Sequence, residues 1–213
     1  LKNRKGAAAL FVTAILVCLP WIARNSMLHG RLVGIESSLG YNLYVGYHPK
    51  STGTFQYGIS LDLIPMLDDG LRDQIGTDKA IEFIKNDPSR ILPLAIMRAG
   101  HFFGLERRAL TFFYSNDFFG YVPTPALLTA SILLLLPFVV LTSSSAYGLI
   151  LADWKQKEVV LLGIVMATYI LPHVLLLAED RFHLTIVPFL VIFAARLWDG
   201  GISELKHLFR LSS

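Results

Sequence analysis

The sequence predicts an all-α membrane protein: about four transmembrane helices, with a large, partly helical extracytoplasmic loop between the first and the second. Three observations predict it. Of 213 residues, 54% are hydrophobic and only 16% charged, with a mean hydropathy of +0.54, whereas soluble domains carry about a quarter charged residues. The apolar residues gather into four stretches of roughly the length a bilayer requires, about 20 residues for a helix. The one long polar segment follows the first stretch. This composition excludes a disordered chain, and with Cys18 the only cysteine it also excludes an internal disulfide framework.

The first span, 6–23, is uncharged and lies between Lys2, Arg4, Lys5 and Arg24. A basic start and an apolar middle also describe a signal peptide. However, Cys18-Leu19-Pro20-Trp21 offers no small residues for cleavage, so a retained helix is expected. The uncharged run from Phe118 to Ala152 exceeds one crossing, and charge decides how often it crosses. Cytoplasmic segments collect Lys and Arg. A single crossing, 122–152, puts Lys2, Arg4, Lys5, Lys155, Lys157, Lys206 and Arg210 on one side. The loop 24–121, with ten basic and ten acidic residues, then falls on the other. The third span, 157–178, holds an uncharged stretch from Val159 to Ala178 interrupted only by Pro172 and His173, and the fourth, 182–199, contains Pro188. Arg181 and Arg196 stand near the ends of the fourth, where they can snorkel. A tail, 200–213, follows. The whole reads as one membrane domain in a plasma membrane, the loop extracytoplasmic and both termini cytoplasmic.

The loop divides in two. Gly40-Tyr41-Asn42-Leu43-Tyr44-Val45-Gly46-Tyr47 reads as turns and short extended pieces, continued by a turn at His48-Pro49. From Thr77 the apolar positions Ala80, Ile81, Phe83 and Ile84 predict a helix ending at Pro88. Asp87-Pro88 opens a second helix towards Gly104. Arg90, Arg98, Arg107 and Arg108 flank its apolar residues, a pattern that suits a helix at the membrane interface or packed on its own domain.

The order of these features resembles a known family. Pro20-Trp21 is followed by Arg24-Asn25, by Gly-Tyr-Asn-Leu-Tyr-x-Gly at 40–46, by Gly53, and by Ala-x-x-Phe-Ile at 80–84. Asp87-Pro88 and Arg181-Phe182-His183-Leu184-Thr185-Ile186-Val187-Pro188 complete the series. It is similar to the C-terminal part of bacterial C-type (GT-C) membrane glycosyltransferases related to protein O-mannosyltransferases and the lipid A aminoarabinose transferase. Phe182, His183 and Thr185 depart from the Arg-Tyr-Arg-Leu-Pro-like element of that family. The resemblance implies transfer of a sugar from a polyprenyl-phosphate-linked donor at the extracytoplasmic face. It also implies that the catalytic acid lies in an N-terminal loop outside this chain. With Leu1 as first residue, a fragment of a longer enzyme is expected.

Such a transfer needs cations at the departing phosphate, where negative charge grows. Arg24 and Arg181, both placed at the outer interface, suit that anion, and His183 beside Arg181 is a third candidate. The plainer reading is arginines anchoring helix ends. Glu179 and Asp180 neutralise Arg181 and are not taken as the catalytic base. Asn25, Asn42 and His48 are candidates for sugar hydroxyls or for shaping the loop, with the tyrosines as a small core. His29, His48 and His101 lack metal-ligand spacing, so no metal site is expected, although metal dependence stays open. No further cofactor is implied. The expected partners are membrane lipids, a lipid-linked sugar and an acceptor of unknown kind, not nucleic acid. The rival reading is a non-catalytic small membrane protein whose outer loop binds a partner or a glycan.

Overall fold

The computed structural model describes residues 4–105, 110, 112, 114–116, 118 and 120–201. Lys2, Arg107, Arg108 and the tail 202–213 lie outside the described residues. Among those described there is no strand, and four helices are long and apolar enough to cross a membrane. The backbone divides into two compact units, 1–95 and 96–213, where the sequence reads as a single domain.

The first unit opens with α1, Arg4–His29, which runs past the expected end of the span at Ala23 into the polar sequence. Next come α2, Leu39–Tyr47, a single turn α3, Tyr57–Ser60, and α4, Asp69–Asn86. The turns and extended pieces expected over 40–47 are instead the helix α2. Its glycines suit a turn locally, but here they permit a close crossing. A β carbon on Gly40 would lie 1.8 Å from the Asp73 carbonyl oxygen, and one on Gly76 would lie 2.5 Å from that of Gly40. Tertiary packing therefore overrides the weak local propensity. Tyr47, Ala80 and Leu94 form a buried cluster with Leu43, Ile84 and Ile91 around it.

Helix α4 begins eight residues before Thr77, because Asp68 caps it: its carboxylate accepts the Leu71 N–H at 3.0 Å. That bond and the neighbouring His29 hold the Asp68 carboxyl below its ordinary range. The helix ends before Pro88 as expected. Pro88–Arg90 then form one 3-10 turn, and α5 runs from Ile91 to Phe102.

The second unit takes in the C-terminal half of α5. It continues with α6, Thr124–Leu151, α7, Lys157–Leu175, and α8, Val187–Arg196, which is preceded by a 3-10 turn at Asp180–Ile186. The run from Phe118 to Ala152 thus contains one long helix, not two short ones. The fourth candidate span covers Asp180–Asp199 and is helical in pieces: a 3-10 turn, α8 and a wider turn, Leu197–Gly201. Phe102, Met166, Ala178, Ile186, Leu190 and Phe193 make the core. Ser144, Ser145 and Gly148 are the buried residues of α6. A β carbon on Gly148 would meet the Phe193 carbonyl oxygen at 1.7 Å, so α6 and α8 touch backbone to backbone. Small residues permit such approaches between membrane helices. Leucines, isoleucines and valines along α1 and α6 are left exposed, as befits helices whose solvent is lipid.

Candidate functional site

The turn between α7 and α8 pairs a buried carboxylate with an exposed arginine. Leu177 and Ala178 are buried, and Glu179, in extended conformation, follows with only 4% of its surface exposed. Its carboxylate Oε2 lies 2.9 Å from Nε of Arg181, whose side chain is 63% exposed. A buried carboxylate requires partners, and one of them, Arg181, reaches it from the surface. The Asp180 carboxylate accepts the Arg181 backbone N–H at 3.1 Å, and the guanidinium stands 5.7 Å over the Phe182 ring.

Because a 3-10 helix repeats every three residues, positions 180, 183 and 186 share one side of this turn. His183 and Ile186 accordingly face inward while Arg181 and Leu184 are exposed. His183 donates from Nδ1 to the Phe102 carbonyl oxygen at 3.0 Å and stacks on Phe138 at 3.8 Å. His183 thus braces the turn beside Arg181 from the buried side.

Arg98 on α5 is the residue the sequence reading underrated. It is fully buried, and its Nη1 donates to the carbonyl oxygens of Leu175 at 2.7 Å and Val174 at 3.4 Å. These are the last carbonyls of α7, where a cation both satisfies acceptors and meets the negative end of the helix dipole. The available signal was its spacing: Leu94, Arg98 and Phe102 stand four apart, so this arginine lies on the buried stripe.

In the first unit the Pro-Trp-x-x-Arg-Asn element forms a clasp. Trp21 Nε1 donates to the Ile35 carbonyl at 2.9 Å, and Asn25 Nδ2 donates to the carbonyls of Gly34 and Ile35 at 3.0 Å each. Four residues apart on one face of α1, they fold the chain back along the helix end. Arg24 is exposed, donates to the Asn25 side chain at 3.2 Å and lies 4.8 Å over Trp21. Asn25 thus ties residues 34–35 back to the end of α1. Asn42 sits on α2, not in a turn, and donates weakly to Ser38 Oγ at 3.4 Å.

His48 lines a cleft of about 780 Å³ together with Pro49, Lys50, Gln56, Gly58, Ile59 and Asp62. Its Nδ1 accepts the Lys50 N–H at 3.2 Å, which leaves the ring proton on Nε2. The ring meets Tyr44 and Phe83 edge-on at 5.4 and 5.5 Å. Burial pushes the His48 pKa down, opposed by Asp62 and reinforced by Lys50, Arg90 and Lys79. Tyr44, buried, donates its hydroxyl to Asp62 Oδ2 at 2.7 Å. Burial first, and then the Asp62 carboxylate, pushes its pKa up to about 12.

Arg24 and Arg181 belong to different units, each with its own neighbours. Among the described residues no three His, Cys, Asp or Glu side chains gather as a metal centre requires. Comparison with protein-family models, curated proteins and solved structures finds no match.

Proposed function

We propose that this chain is the C-terminal portion of an integral membrane glycosyltransferase, whose Arg181 binds the phosphate of a polyprenyl-linked sugar donor. The observation that carries the reading is the Glu179–Arg181 pair: an exposed guanidinium anchored through Nε to a buried carboxylate 2.9 Å away. Anchoring through Nε leaves the terminal NH2 groups of a planar fork for an anion, and that fork matches phosphate oxygens. As the sugar leaves its carrier, negative charge accumulates on the phosphate oxygen, and a fixed cation stabilises it without reorganisation. His183 and Arg98 secure the turn from within. Arg24 is the second candidate cation, and Asn25 shapes the chain that follows it. The general base belongs to a part of the enzyme outside this chain, the large loop is extracytoplasmic, and both termini are cytoplasmic.

The test uses the complete open reading frame in membrane vesicles with a radiolabelled polyprenyl-phosphate sugar. Arg181→Ala is expected to lower turnover about 100-fold, the usual cost of removing one transition-state donor, with expression unchanged. Glu179→Gln, which frees the guanidinium, is expected to fall between the two. Equal turnover at equal expression for Arg181→Ala ends the phosphate role. The second reading, a non-catalytic protein whose outer loop binds a glycan, is favoured by the cleft at His48 and Asp62.

A further inference from the structure

We infer that the cleft bounded by His48, Lys50, Gln56 and Asp62 is a binding site for an uncharged sugar ring. It does not rest on the transferase reading, because an enzyme's acceptor or donor sugar and a non-catalytic receptor's glycan would use it alike.

The size fits first. At about 780 Å³ the cleft falls within the roughly 300–1,000 Å³ of small-molecule sites. The chemistry fits next. A pyranose presents hydroxyls that both donate and accept around its rim, and an apolar face of C–H bonds. The cleft offers His48 Nε2–H and the Lys50 ammonium as donors, and the Asp62 carboxylate as an acceptor. Gln56 uses its Nε2 on Thr52 Oγ1 at 3.2 Å, which leaves its carbonyl oxygen as a further acceptor. Pro49 and Ile59 supply apolar wall.

The groups are also held in place. Tyr44 fixes one oxygen of Asp62, and the Lys50 backbone fixes the tautomer of His48. Such preorganisation reduces the ordering cost of binding. Lys50, Arg90 and Lys79 outnumber Asp62 around His48, so the selection lies in the wall itself: a phosphate oxygen meets the Asp62 carboxylate there, whereas a hydroxyl can donate to it. An uncharged ring meets no such penalty.

The experiment places the whole chain in phosphatidylcholine nanodiscs, which avoid sugar-headed detergents. Saturation-transfer NMR is run with methyl α-glucopyranoside, methyl α-mannopyranoside and methyl α-galactopyranoside, and inorganic phosphate is titrated separately. Transfer to the ring protons of at least one glycoside is expected, without saturable phosphate binding. Asp62→Asn keeps an acceptor for Tyr44 and therefore the fold, and is expected to weaken the sugar about tenfold, as for loss of a charged hydrogen bond. Gln56→Ala, at the opposite wall, is expected to weaken it as well. No transfer from any of the three glycosides, saturable phosphate binding instead, or transfer unchanged in both variants overturns the inference.

Discussion

At the residue scale, two buried polar groups set measurable behaviour. Tyr44 is neutral in the folded chain, with a pKa pushed up to about 12 from an ordinary 10.0. Its contribution to stability is therefore complete below pH 10 and disappears as pH rises through 12. Subtracting the tyrosinate absorbance titration of Tyr44→Phe from that of the parent is expected to isolate this late step. Asp62→Asn removes the carboxylate but not the burial, so it is expected to bring the step only part of the way back. Arg98 is the second group. Arg98→Met keeps much of the volume but withdraws the donor from the carbonyls of Val174 and Leu175. It is expected to cost about 1–3 kcal/mol, read as a lower thermal midpoint in nanodiscs, with Arg98→Lys restoring part of it. The sequence places Tyr44 among the tyrosines of a small core and Arg98 beside an apolar helix, but names a partner for neither. An arginine beside an apolar helix looks the same whether it snorkels to lipid or caps another helix, and only the partner carbonyls distinguish the two. The burial of His183 was illegible for a related reason, because the inward side of the turn is set by its 3-10 repeat and not by its charge.

At the scale of elements, legibility follows the range of the forces. The spans were readable because a bilayer imposes length and apolarity locally, and α1, α6 and α7 lie close to where hydropathy puts them. The start of α4 was missed because its first turns are polar, although Asp68 carries a capping signal. Helix α2 was unreadable for a deeper reason: Gly40 and Gly46 argue for turns until Gly76 is placed opposite Gly40. This makes a paired prediction. Gly76→Ala adds a β carbon 2.5 Å from the Gly40 carbonyl oxygen and is expected to destabilise the chain by about 1–3 kcal/mol. Gly100→Ala, on α5 with nothing within 4 Å of its β carbon, is expected to stabilise by about 0.5–1 kcal/mol. Thermal unfolding of the two variants in nanodiscs decides; a loss for both shows that helix propensity at position 100 is not the governing factor.

For the whole molecule, the question is which side of the membrane holds the polar segment between α1 and α6. Local charge bears on it because Lys and Arg near span ends are retained in the cytoplasm, whereas balanced segments are free to cross. Residues 24–121 hold ten cations and ten anions, while Arg4 and Lys5 precede the first span and Lys155 and Lys157 adjoin the turn after α6. Among the described residues one candidate spanning helix, α6, stands between Glu82 and Gln156, so the proposed topology puts the two positions on opposite faces. Both side chains are exposed, which suits them as reporters. In a Cys18→Ala background, Glu82→Cys is expected to react with a membrane-impermeant maleimide in intact spheroplasts, and Gln156→Cys only after permeabilisation. The reverse pattern would invert the proposed orientation and place the sugar cleft and Arg181 in the cytoplasm, where a nucleotide-linked donor is the natural one. Labelling of both from the same side would remove α6 as a single crossing, and with it the charge argument that puts Arg24 and Arg181 on one face.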